Sequence, residues 1–194
     1  MSNMLERELK LIQNMSVREG TKYLVEKHEQ WLRSCPPSPS GKFHNHEETL
    51  EDHIVDVVCC AQEIAREFKI TGDDFDVLVS ACILHDMGRV KTTKLGRVEG
   101  EDDNWKYYPK TGWSQYDYGK KHPFDSNDLI KENPFHLSDR VRDLVKCHMS
   151  HWYAYCPQPR NLLQYAMCIA DYLATRIPEM NTEMANRRAH KRGN

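Results

Sequence analysis

Several features that settle the class of many proteins are missing from this chain. It has no Cys-x-x-Cys pair, and its cysteines are odd in number, seven in all. Four of them, Cys59, Cys60, Cys82 and Cys168, fall in apolar, helix-patterned stretches. That distribution excludes a disulfide framework and a thiolate zinc site, and fits small core residues in a reducing compartment. The charged stretch from Met1 to Glu8 is not a hydrophobic leader, and no apolar run approaches the length of a bilayer span. The expectation is a cytoplasmic protein with no membrane partner. Charge of one sign is scarce too, with a net charge of −2 over 194 residues, which argues against gripping long nucleic acid by charge alone. Nucleophile elbow, Walker loop and dinucleotide fingerprint are all absent, so covalent, ATP-driven and hydride chemistries lack support. No internal repeat and no strand pattern stands out. What remains, 39% hydrophobic and 29% charged residues, is the composition of a soluble globular protein long enough for one core.

Helical periodicity is present. Residues 3–33 predict one or two amphipathic helices, with a break near Ser16 to Gly20. A proline-rich loop over 34–41 follows. The clearest helix spans 45–69, with Asn45 and Glu48 as a capping box and the stripe Leu50, Ile54, Val57, Ala61, Ile64, Phe68 on its core face. His53 sits at the edge of that stripe. A helix over 75–87 buries Leu78, Cys82 and His85 at i, i+4, i+7 and runs into Asp86. Periodicity is then lost over 88–121. This segment holds Arg89, Lys91 and six aromatics (Trp105, Tyr107, Tyr108, Trp113, Tyr116, Tyr118). It reads either as a flap pinned by its own rings, or as a substrate lid whose cations meet phosphate and whose rings meet a base. Further helices are predicted over 124–132, opening after His122-Pro123, over 138–151 and over 160–177. The tail from Pro178 is polar and mildly basic.

Taken singly, His53, His85, His148 and Asp171 each read as an ordinary core residue. Together, several ionisable groups inside one small helical core need a common explanation. An unpaired buried carboxylate is costly, and one or two divalent cations would offset that cost. Imidazole and carboxylate ligands suit Mn, Fe, Co, Ni or Zn, and two Asp with at least two His leave positions open for water, as catalytic sites do.

The order His53, His85-Asp86, His122, His148, Asp171 resembles the H…HD…H…H…D signature of the HD-domain metal-dependent phosphohydrolases. The resemblance covers residues 38–177. It is carried further by Ile83-Leu84-His85-Asp86-Met87-Gly88 and by Ile169-Ala170-Asp171-Tyr172-Leu173. The segment Ser40-Gly41-Lys42-Phe43-His44 is similar to one preceding the first ligand in a subgroup that includes the HD module of some 3′–5′ exoribonucleases. Two points depart from the pattern. Arg89 stands where many members have Lys, and the insert after the HD motif is longer than in minimal members.

The resemblance implies an all-α fold, a single HD domain over 1–194. Its N-terminal helices would occupy 1–33, its core 34–177 with the aromatic-rich insert 88–121, and its polar tail 178–194. It implies that His53, His85, Asp86 and Asp171 hold a first metal. His122 and His148, with Asp86 bridging, would hold a second. Asp86, His122 and His148 then stand as the catalytic residues, and Lys42, His44, Arg89, Lys91 and His151 as substrate-binding candidates. The implied reaction is attack of metal-activated water on a phosphoester of a nucleotide-type substrate. Three alternatives stay open: a 3′–5′ exonuclease on short single strands, a di-iron oxygenase of the same superfamily, and a non-catalytic nucleotide-sensing module.

Overall fold

A computed structural model of the chain describes residues 5–35, 37, 49–97, 105–109 and 115–176, with side chains described for these except in 92–97, 105–109 and 115–120. Its centre is α5 (Asp73–Leu84), in which every residue from Asp76 to Leu84 is buried. Asp73, Asp74 and Asp76 occupy its first turn, where carboxylates suit the positive end of the helix dipole. An apolar circumference of this kind is stable only when other helices surround it. α2 (Met15–Lys27), α4 (Leu50–Phe68), α8 (Asp139–Cys147) and α9 (Leu162–Arg176) all pack against α5, and α4 also lies along α9. Among the described residues nine helices form this all-α body. None of them is long and apolar enough to cross a membrane.

The helix boundaries depart from the sequence pattern in several places. The N-terminal region is three helices, α1 (Glu6–Lys10), α2 and α3 (Glu29–Ser34), broken at residues 11–14 and at His28 rather than near Ser16 to Gly20. Asn14 caps α2 by accepting from the backbone N–H groups of Ser16 and Val17. Gly20 lies inside α2 for a packing reason: a Cβ there would stand 2.9 Å from Leu137 Cδ2. α4 starts at Leu50, and its capping box is Thr49 with Asp52: Asp52 N–H donates to Thr49 Oγ1 at 3.2 Å, and Thr49 N–H to Asp52 Oδ2 at 3.0 Å. Asn45 and Glu48, expected to cap it, lie outside the described residues.

The stretch without periodicity contains regular structure. α6 (Arg89–Thr92) leads into an antiparallel hairpin of β1 (Thr93–Arg97) and β2 (Trp105–Pro109), with Thr93 opposite Pro109 and Arg97 opposite Trp105. Its aromatic side chains lie outside the described side chains. α7 (Gln115–Lys131) begins well before the expected start at 124 and carries Pro123 in its interior. Proline fits a helix start best and costs about 3 kcal/mol inside one. Here the packing of α7 on α6 and α8 offsets that cost. The expected helices over 138–151 and 160–177 are α8 and α9, the first ending earlier, at Cys147. The tail from Pro178 lies outside the described residues.

Candidate metal centre

Five segments bring imidazoles and carboxylates to one place beside the C-terminal end of α5. α4 supplies His53, one turn from its capped start. The turn after α5 supplies His85, as its C-cap, and Asp86. α7 supplies His122. The end of α8 supplies His148, as its C-cap, and α9 supplies Asp171. All six are buried, from 0% exposed for His85, His122 and His148 to 6% for Asp171.

The turn itself is held by two residues whose roles are structural. Ser126 on α7 donates its hydroxyl to the His85 carbonyl at 2.6 Å and accepts the Gly88 N–H at 2.7 Å. Gly88 can approach α7 only because it lacks a side chain: a Cβ would lie 2.3 Å from the His122 carbonyl oxygen and 2.4 Å from Ser126 N. Sequence reasoning missed Ser126. Its one signal, a Ser four residues after His122 on the same helix, is too common to single out.

The ligand atoms form three overlapping groups, each with its atoms within 4.8 Å of one another: His53–His85–Asp86, His85–His148–Asp171 and Asp86–His122–His148. His53 Nε2 is 3.2 Å from His85 Nε2 and 3.3 Å from Asp171 Oδ1. His85 Nε2 is 3.5 Å from Asp86 Oδ2. His122 Nε2 is 3.0 Å from both His148 Nε2 and Asp86 Oδ1. Asp86 thus shows one oxygen to each half of the cluster.

Tautomers decide what these distances mean. A ring nitrogen facing a carbonyl oxygen must carry the proton. His85 Nδ1 donates to the Cys82 carbonyl at 2.7 Å, and His148 Nδ1 to the Val145 carbonyl at 2.6 Å. In the neutral rings both Nε2 atoms therefore turn lone pairs inward. Burial, followed by the nearby His85 and His122, takes the His148 imidazole down to about 3, so it stays neutral at physiological pH. The two oxygens of Asp86 are buried and accept no hydrogen bond of good geometry. Burial alone would raise this carboxyl, but Arg89, His85 and His122 outweigh it and hold it well below the usual range. Asp171 behaves alike: burial raises it, while a hydrogen bond from His53 and the neighbouring His85 and His148 bring it lower. Inward lone pairs and carboxylate oxygens at such separations are mutually unfavourable unless positive charge stands among them. The donor set of imidazole nitrogen and carboxylate oxygen could hold one or two divalent metal ions.

The remaining candidates lie around this cluster or away from it. Arg89 Nη2 is 3.1 Å from Asp86 Oδ2, and its Nη1 donates to the Pro37 carbonyl. Lys91 is half-buried; burial raises the Asp125 carboxyl, and the Lys91 charge offsets only part of that rise. His151 is exposed and stands outside the three ligand groups, its ring against Trp152 and Tyr172. Lys42 and His44 lie outside the described residues.

A family model described as HD domain matches residues 50–176, a span that runs from the first residue of α4 to the last of α9 and contains every member of the cluster. Comparisons with curated proteins and with solved structures give no match.

Proposed function

The chain belongs to the HD-domain family, whose members are mostly metal-dependent hydrolases, and from that premise we propose that it hydrolyses a phosphoester bond of a nucleotide-type substrate. One observation carries the reading. Buried imidazole and carboxylate ligand atoms from five segments converge, with Asp86 shared between the two halves of the cluster. A structural core gains nothing from such an arrangement, and one or two cations make it favourable.

In this reading His53, His85, Asp86 and Asp171 hold one ion, and His122, His148 and Asp86 the other. Mn, Fe, Co, Ni and Zn all suit the donors. The chemistry supplied by cations at this place is activation of water near neutral pH and neutralisation of charge on the phosphoryl oxygens. The chain's own residues prepare it. The Cys82 and Val145 carbonyls fix the ring orientations of His85 and His148, and Ser126 fixes the turn that carries His85 and Asp86. Arg89 sets a guanidinium beside Asp86, where it can meet a phosphoryl oxygen in a forked hydrogen bond. Lys91 adds a second positive charge two residues further on.

The test is a substrate and metal panel. Protein supplied in turn with Mn, Co, Ni, Fe and Zn should release phosphate or nucleoside from at least one mononucleotide, and elemental analysis should find the retained ion. Inert mononucleotides with shortening of a labelled oligonucleotide would move the reading to an exonuclease. Two retained irons with turnover that requires dioxygen would move it to an oxygenase. Nucleotide binding with no turnover under any metal would leave a sensing module.

A further inference from the structure

A cavity of about 480 Å³ opens between the segment after α8 and the outer face of α9. Its volume lies in the range of small-molecule sites, about 300–1,000 Å³. Three rings on its wall touch one another. His151 and Trp152 have centroids 4.8 Å apart, His151 and Tyr172 meet edge to face at 5.3 Å, and Trp152 and Tyr172 lie 5.9 Å apart with planes tilted by 38°. The Gln158 amide also lines the cavity, and among the described residues no Lys, Arg, Asp or Glu does.

Position along the chain ties this cavity to the metal centre. His151 follows His148 by three residues. On α9, Cys168 lines the cavity and has Asp171 at i+3, on the same helix face, while Tyr172 is the residue after Asp171. The two segments that wall the cavity are the two that supply His148 and Asp171. The cavity and the cluster are thus neighbours along two shared segments, although no cluster residue lines the cavity, and cations held by the cluster would attract an anionic oxygen. A ligand that fits both has a planar, neutral, hydrogen-bonding part and an anionic part.

We propose that the cavity is the base-binding subsite of this protein. A nucleobase stacks on the Trp152 and Tyr172 rings, its edge donates to Gln158 Oε1, whose amide nitrogen is held by the Ser150 and Cys156 carbonyls at 3.4 Å, and its phosphoester reaches the cluster. Stacking on a ring suits every base, because each presents a π face, so the rings supply affinity and Gln158 supplies preference. The inference rests on the phosphohydrolase reading and adds to it the residues that recognise the base.

Two measurements test it and separate its failure from that of the reading. In the first, wild-type protein and Trp152→Ala are compared on nucleoside 5′-monophosphates and on ribose 5-phosphate, which has the same phosphoester and no base. The ratio of kcat/KM between nucleotide and ribose 5-phosphate should fall about tenfold in the variant, through KM. An unchanged ratio overturns the proposal. In the second, the four common nucleosides, which carry no phosphate, are titrated by calorimetry into chelator-treated wild type, Trp152→Ala and Gln158→Ala. Binding should weaken about tenfold in Trp152→Ala, and Gln158→Ala should change the order of preference among nucleosides. Nucleoside binding insensitive to Trp152→Ala, or absent in the wild type, overturns the subsite. Nucleoside binding that needs Trp152, in a protein that hydrolyses nothing, supports the subsite and counts against the phosphohydrolase reading alone. Circular dichroism on each variant verifies that the helices persist.

Discussion

Two aspartates mark the two ends of α5, and they differ in what surrounds them. Asp76, in the first turn, is 3% exposed, and Asp86, just past the last turn, is 1% exposed. Asp76 Oδ1 accepts the Gln13 N–H at 2.9 Å, and its Oδ2 the Asn14 N–H at 2.7 Å. One turn on, Ser80 shares a hydrogen bond with Thr21 at 2.7 Å. Both Asp76 oxygens and the Ser80 hydroxyl are thus matched, and their effect is to fasten the N-terminal region to the core. At the other end no backbone N–H among the described residues reaches Asp86; ring nitrogens of His85 and His122 and the Arg89 guanidinium stand around it instead. Burial of a carboxylate therefore does not mark a site. A buried carboxylate whose acceptor capacity the protein leaves to a ligand does.

The sharpest way to break this contrast is to remove each carboxylate in turn. Asp86→Ala should cost more than the roughly 10–100-fold in metal affinity that outer-shell changes cost, and should abolish hydrolysis while leaving helical content near that of the wild type. Elemental analysis and phosphate release check it, and retained turnover would remove Asp86 from the centre. Asp76→Ala should do the opposite. It strands two backbone N–H groups that had a charged acceptor, at a cost of about 2–4 kcal/mol, so Tm should fall by on the order of 10 °C with metal content unchanged.

Ser126→Ala sharpens the comparison, because it touches the open end without removing a ligand. The buried Gly88 N–H loses its acceptor and the His85 carbonyl its donor. Stability should drop by about 1–2 kcal/mol, and metal affinity roughly 10–100-fold as the turn loosens. Denaturant unfolding of the chelated protein reads the first quantity, and metal titration the second. A loss of stability with unchanged metal affinity would mean that Gly88 and its contacts hold the turn unaided.

The same contrast explains what the sequence could reveal. His53, His85, His148 and Asp171 lie on apolar helical stripes, so periodicity alone pointed them inward, and the structure brings them together with Asp86 and His122. The all-α body was legible for the same reason: long stripes such as that of α4 show through local detail. The matched end of α5 was not legible, because Asp76 answers to backbone N–H groups more than sixty residues away in sequence. Gly20 looked like a helix breaker, yet its smallness serves the approach of Leu137, a long-range fact. Pro123 looked like a helix start because propensity is local, whereas α7 is held by its neighbours. The five-residue strands of the hairpin are too short to show alternation, and two strands alone carry little pattern.

Titration gives the gentlest probe of the open end, read in metal-free protein so that no cation competes with protons. His148 has an ordinary value of 6.5 and is taken down to about 3 in the fold. Between those values the unfolded chain binds more protons than the folded one, so stability rises with pH across the window and is lost as pH falls from 6.5 towards 3. Asp86 and Asp171, both held below their ordinary 3.8, add a loss of the same sign in more acidic solution. One such group contributes a slope of at most about 1.4 kcal/mol per pH unit. Because other groups titrate as well, the informative quantity is a difference: stability against pH for the wild type minus that for His148→Gln, from denaturant unfolding in chelator. That difference should slope between pH 6.5 and 4 and level off above 7. If it stays flat throughout, His148 exchanges its proton as freely as in the unfolded chain. The lone pair it turns towards Asp86 would then lie open to water, and the contrast between the two ends of α5 would dissolve.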